Sequence, residues 1–213
     1  MDRSRLEAFS DGVFAVAITL LALNLTLAGP GRVPLQTQLW EHRWSFGAYG
    51  LSFLIIGIIW VNHHALIKSI ARVDRTLLFL NLALLLFVVL IPFSTATVAQ
   101  YLPVHSGDVK VAMVLYSAVF LGMSLGFGLI FEWTLHGDHR IEPLPPQAHW
   151  PARLRFVGGA LVYVVAIVVS VFSAYAAFAL IALTAVYYIV ERTPTSPAAP
   201  DSPDSPGDSP LVG

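Results

Sequence analysis

Four stretches of this chain, Phe9–Ala28, Ser45–Asn62, Thr76–Ala99 and Val111–Phe131, each run for about 20 residues with almost no charge. Helices of that length match the hydrocarbon thickness of a bilayer, so the chain can fold only with lipid as part of its solvent. A fifth apolar block, Arg153 to Glu191, is too long for one crossing. It divides near Ser173-Ala174-Tyr175 into Leu154–Val171 and Tyr175–Val190. The expected fold is an all-α integral membrane protein with six transmembrane helices per subunit, over residues 9–28, 45–62, 76–99, 111–131, 154–171 and 175–190. These lie in one domain, residues 1–192. Residues 193–213 are dominated by Pro, Ser, Asp and Gly, bury almost nothing, and read as a disordered tail.

With six spans, Lys and Arg decide the orientation. One side would carry Arg3, Arg5, Lys68, Arg72, Arg75, Arg140, Arg153, Arg155 and Arg192. The other would carry only Arg32, Arg43 and Lys110. Both termini are therefore expected to be cytoplasmic, in a multi-pass protein of the cell membrane. The first span is read as retained rather than as a cleaved signal. Its basic start also holds Asp2, Glu7 and Asp11, and no small-x-small site follows.

Composition removes several function classes. The chain has no cysteine, so it has no disulfide and no thiolate metal site. A net charge of -1 offers no basic patch, and no nucleic-acid partner is expected. There is no G-x-S-x-G elbow, H-E-x-x-H pair or phosphate-binding loop, and an enzyme is not expected. Neither a cofactor nor a metal site is expected. His63 and His64 point about 100° apart on a helix and do not meet one ion. His136 and His139, with Asp138 between them, are better spaced but sit in a loop beside Gly137.

The polar residues of the first three spans fall in one layer. Asp11 opens span one, and a carboxylate in hydrocarbon must be functional or tightly paired. Trp60, Asn62, His63 and His64 close span two, and Asn81 lies near the start of span three. A hydrogen-bonded network is expected there, with Ser10 and Asp11 accepting from Trp60, a histidine or Asn81, because lipid offers no partners. On a helical wheel Asp11 points about 140° away from Val16, whereas Phe9, Gly12, Val16, Leu20, Leu23 and Leu27 cluster within roughly 40° of one line. Asp11 is then an anchor rather than an ion contact. The alternative is a titrating proton site. Taken alone, the apolar line is a packing stripe, with Thr19 and Asn24 beside it. In span four, Gly122 and Gly126 have small-xxx-small spacing, which suits close helix contact within the subunit. Span three carries Pro92 toward its end, where a kink is expected.

The segment Arg5-x-x-x-Phe9-Ser10-Asp11, continuing Gly-Val-Phe-Ala-Val-Ala-Ile-Thr-Leu-Leu, resembles the signature of the transmembrane protein 175 family of potassium channels in its prokaryotic single-repeat form. Ser52-Phe-Leu-Ile-Ile-Gly-Ile-Ile-Trp60-Val-Asn-His63-His64 is similar to that family's second span. The resemblance covers about residues 3–100. It implies a homotetramer in the lipid bilayer with potassium ions as the permeant species. The first helix of each subunit would line a central pore. Val16 would form the first constriction ring, Leu20 and Leu23 further rings, and Thr19 a threonine layer. Many relatives carry Ile or Leu at the first ring, where Val16 is smaller by a methylene. It also implies that Arg5, Phe9, Ser10, Asp11, Trp60, His63, His64 and Asn81 belong to one structural polar network. The expected function is a potassium-permeable, weakly selective cation channel with a hydrophobic constriction, since rings of apolar side chains can gate by dewetting. The alternative is a proton-linked transporter or proton leak using Asp11 and the histidines of the layer.

Overall fold

A computed structural model of the chain describes residues 2–31, 33–104, 107–137 and 139–190. The tail read from residue 193 onward lies outside them. The described residues form seven helices: α1 (Arg3–Ala22), α2 (Leu35–Glu41), α3 (Arg43–Lys68), α4 (Arg75–Tyr101), α5 (Asp108–Leu135), α6 (Pro146–Phe172) and α7 (Ala174–Val190).

Six spans do not result. Among the described residues only α3, α4, α5 and α6 are long and apolar enough to cross a bilayer, and α7 is a shorter apolar helix. The first span fails because its helix is short and starts in charge. Arg3, Arg5, Glu7 and Asp11 occupy the early turns, and regular helix stops at Ala22 rather than at Gly29-Pro30-Gly31. From Gly12 to Ala22 the apolar part rises only about 17 Å, roughly half the hydrocarbon core. Two causes end it early. Leu21 is its last buried side chain, so nothing beyond holds the helix by packing. Asn24 turns its side chain back onto the Leu20 carbonyl, 3.3 Å away, and so offers the backbone an alternative to the helix. Four crossings, like six, are an even number, so the loss of two spans does not by itself put the termini on opposite sides.

The other boundaries have local causes. The Asp74 carboxylate accepts from Leu77 N at 2.7 Å and caps α4. Pro146 takes the first turn of α6, where a missing N–H costs nothing. Ser173 is the single extended residue between α6 and α7, and its hydroxyl accepts from Ala176 N at 3.3 Å. Between α1 and α2, Gly29 and Gly31 adopt φ of 84° and 91°, which glycine reaches without strain. The short α2 follows Pro34.

The core sits among α3, α4 and α5. Tyr116, Phe120, Ile56, Leu84 and Ile91 are fully buried there. Gly122 and Gly126 of α5 face α4 of the same chain. A Cβ on Gly126 would stand 3.1 Å from the Leu84 backbone, and one on Gly122 would overlap the Phe87 ring. α4 runs on through Pro92 as far as Tyr101. Thr95, one turn past that proline, shares a buried hydrogen-bond cluster with Ser52 of α3 (2.7 Å), which also meets the Tyr116 hydroxyl of α5 (2.8 Å). At the opposite end the α3–α4 and α5–α6 connections meet. Ala71 N donates to His139 O (2.8 Å) and Ile141 N to Ser69 O (3.0 Å). This is the basic end of the bundle.

Candidate functional site

The N-terminal half of α1 is pinned to α3 and α4 by side-chain hydrogen bonds. Ser10, His63 and Asn81 are all fully buried. Asn81 Nδ2 donates to Ser10 Oγ at 3.0 Å, and Ser10 in turn donates to the Leu6 carbonyl at 2.9 Å. The Asn81 Oδ1 accepts from His63 Nε2 at 2.8 Å, so in that pair Nε2 carries the ring proton. His63 Nδ1 is buried with no hydrogen-bond partner among the described residues. The ring is held between Phe14 and Phe127, with centroids 5.3 and 6.2 Å away. Nearer the surface, Trp60 Nε1 donates to Asp11 Oδ1 at 2.8 Å. His64 lies beside Trp60, with ring centroids 6.0 Å apart, and its Nδ1 is 2.7 Å from Glu7 Oε1.

The structure thus brings Ser10, Asp11, Trp60, His63, His64 and Asn81 into one layer. It leaves Arg5 and Phe9 on the exposed side of α1, off these hydrogen bonds. Two residues join the layer that the sequence reading did not single out. Glu7 stands one turn before Asp11 on the same side of α1, and the i, i+4 spacing was the signal for it. Arg3 reaches across to the end of α3, donating to the carbonyls of Lys68 and Ile70 at 3.2 Å each. No sequence signal separates Arg3 from Arg5.

One group of metal-competent ligands appears among the described residues: Glu7, Asp11 and His64, with ligand atoms within 4.8 Å of one another. Each already has a partner inside the group or in Trp60. The loop histidines turn to backbone carbonyls: His136 Nδ1 lies 2.7 Å from Glu132 O, and His139 Nδ1 3.0 Å from Trp133 O. Asp138 lies outside the described residues.

Beyond this layer α1 has two unlike sides. Leu6, Phe14, Ala17 and Leu21 are at most 2% exposed, whereas Val16 is 55% and Leu23 72% exposed, with Thr19 and Leu20 also uncovered. The Thr19 hydroxyl donates to the Val16 carbonyl at 2.8 Å, which leaves its oxygen available as an acceptor.

Apolar helices of spanning length, with polar groups satisfied inside the bundle and apolar side chains facing out, define a helical membrane protein. Residues 5–92 match the family model described as "Endosomal/lysosomal potassium channel TMEM175". The chain is 41% identical over 174 residues to a potassium channel of Streptomyces collinus, covering 78% of this chain and 81% of that one. The crystal structure of a lysosomal potassium-selective channel TMEM175 homolog from Chamaesiphon minutus superposes with a TM-score of 0.77 at 31% identity, over 88% of this chain and 96% of the other. The endosomal/lysosomal proton channel TMEM175 of Gallus gallus is 28% identical over 159 residues, and the match spans 31% of its length. The chain belongs to the TMEM175 family, whose members are ion channels and not enzymes.

Proposed function

We propose that the chain is a potassium-permeable, weakly selective cation channel of the cell membrane. Its pore is enclosed by α1 helices from several copies, four in the favoured assembly. Val16, Leu20 and Leu23 form apolar rings along the pore, and Thr19 a polar layer between them. The observation that carries this reading is the divided surface of α1. Its polar layer and one apolar side are locked against α3 and α4, while among the described residues the side bearing Val16 and Leu23 is left largely exposed. One helix cannot enclose a pore, so that side needs copies of itself. The hydrogen bonds of Ser10, Asp11, Trp60, His63 and Asn81 fix the rotation of α1 and hence what it presents. An apolar neck passes ions by the cost of stripping their water, and potassium holds its shell less firmly than sodium, so discrimination is modest.

Purified protein in liposomes tests this. Potassium flux is expected in the parent, and Val16→Asn is expected to raise it and to narrow the preference over sodium. Absence of flux in the parent, or an unchanged flux in Val16→Asn and Leu23→Asn alike, overturns the reading.

A second reading, proton permeation through Asp11 and the histidines, draws on the relatives named as proton channels and on the Glu7–His64 contact. It requires that a pH gradient drive flux and that Asp11→Asn abolish this flux in protein that still folds.

A further inference from the structure

Glu7 and Asp11 stand one turn apart on α1, and His64 of α3 faces them. All three are half-buried, and one ligand atom of each lies within 4.8 Å of the others. Two carboxylates this close repel each other unless a positive charge is shared between them. Glu7 is paired with His64 rather than with a lysine or arginine, and Asp11 with the uncharged Trp60 indole. Arg3, on the same helix, is turned to the Lys68 and Ile70 carbonyls. The contact between His64 and Glu7 is itself unusual. Nδ1 comes within 2.7 Å of Oε1, yet that buried nitrogen has no hydrogen-bond partner among the described residues. The distance suits a hydrogen bond, so it is the direction that fails: the oxygen lies off the axis of the ring nitrogen. Two ligands of one cation take up this arrangement, with the ion on the nitrogen axis and the oxygen beside it.

We propose that Glu7, Asp11 and His64 are a binding site for one divalent cation of the zinc type. One imidazole and two carboxylates form a donor set that suits zinc, and water fills the position they leave open. Zinc holds such ligands at about 2.0–2.2 Å, so in a tetrahedral set they stand about 3.3–3.6 Å from one another. Donors already within 4.8 Å reach that spacing by turning the Glu7 side chain. Asp11 keeps one oxygen for Trp60 and has the other for the ion. The Trp60 indole supports both flanking ligands, since it lies against the His64 ring with centroids 6.0 Å apart and donates to Asp11 at 2.8 Å. His63, next along α3, is turned to Asn81 and takes no part. A bound ion ties α1 to α3 and so reinforces the hydrogen bonds that fix the rotation of α1.

Titration of the full chain with zinc in detergent micelles is the test, read by calorimetry and by thermal unfolding. The parent is expected to bind one zinc per chain and to unfold at a higher temperature with zinc present, and EDTA is expected to reverse the shift. Glu7→Gln and His64→Gln are each expected to weaken binding by about tenfold or more and to lose most of the zinc shift. Their unfolding in EDTA reports any defect of folding separately. A protein carrying both His136→Gln and His139→Gln, which alters the loop histidines, is expected to bind zinc as the parent does. A parent that takes up no zinc, or Glu7→Gln and His64→Gln proteins with the parent's affinity, overturns the proposal. So does loss of binding in the loop-histidine protein. Should the ligand variants not fold, X-ray absorption of the zinc-loaded parent decides: one imidazole among oxygen ligands supports the site, and two imidazoles overturn it. None of these readouts depends on whether α1 lines a pore.

Discussion

The two sides of α1 are made of nearly the same residues and meet opposite surroundings. One side carries Leu6, Ser10, Phe14, Ala17 and Leu21, each within 2% of complete burial. The other carries Phe9, Val16, Leu20 and Leu23, all exposed. In water such a helix would have no reason to leave a leucine side open. In a membrane every helix is apolar all round, and hydrophobicity no longer says which side packs. The buried side is chosen by Ser10, whose hydroxyl sits between the Leu6 carbonyl and Asn81, and by the apolar residues in register with it. A single small polar residue can orient the helix because rotating α1 would take from the buried Asn81 amide its acceptor, whereas Ser10 keeps its bond to the Leu6 carbonyl at any rotation.

The largest expected effect tests the packed side. Phe14 is 1% exposed and lies against the His63 ring. Phe14→Ala is expected to cost about 3–5 kcal/mol through the lost contacts and the cavity left behind, read as a drop in thermal unfolding in detergent micelles. Next comes the orienting polar layer. Asn81→Leu removes the acceptor for His63 Nε2 and the donor to Ser10 at once. An expected loss of about 2–4 kcal/mol follows from the buried groups left unpaired. If Asn81→Leu were neutral, hydrogen bonding would not be what sets the rotation of α1, and the contrast between its sides would need another cause.

These residues also mark how far the sequence could be read. Ser10, Asp11, Trp60, His63 and Asn81 were legible as one layer because each is a polar group at the same depth of an apolar run, and polar groups in lipid must find each other. Gly122 and Gly126 were legible as a close-contact site on spacing alone. The length of α1 was not. Hydropathy runs on unbroken to Ala28, but the helix ends at Ala22 because its packing ends at Leu21 and Asn24 bonds back to Leu20, and hydropathy measures neither. Counting crossings by hydropathy failed for that reason, and again where α7 proved short. The short α2 was hidden in a loop whose polar residues gave no periodic signal. Arg3, rather than the motif's Arg5, reaches α3, because the two helical positions between them turn a side chain by about 200° and only tertiary contact tells which faces the neighbour.

A smaller effect separates anchoring from proton chemistry at Asp11. Trp60→Phe deletes the indole donor to Asp11 Oδ1 along with part of a ring that is 41% exposed, and is expected to cost about 1 kcal/mol, the usual net value of such a bond. Asp11→Asn keeps an acceptor oxygen for Trp60 and is expected to cost less still. An anchoring role predicts that the two variants follow this order in stability and that ion flux survives in both. Loss of all flux in Asp11→Asn, with stability intact, would move Asp11 from anchor to ion path.

The smallest expected change in stability falls on the open side. Leu23 is 72% exposed and just beyond the last helical turn, so Leu23→Asn removes almost no packing within the chain. The stability change expected for such a site is about 0.5 kcal/mol or less. If that side faces lipid, however, a polar amide there must be paid for by desolvation, and unfolding should shift by an amount nearer that of a buried polar group. If it faces water and ions at the centre of an assembly, the amide is hydrated, stability holds, and potassium flux rises because the neck no longer dries. The same substitution therefore reads out opposite things for the two surroundings of that one side. A stable Leu23→Asn with raised flux places Leu23 on a wet axis, and a destabilised one with parental flux places it against acyl chains.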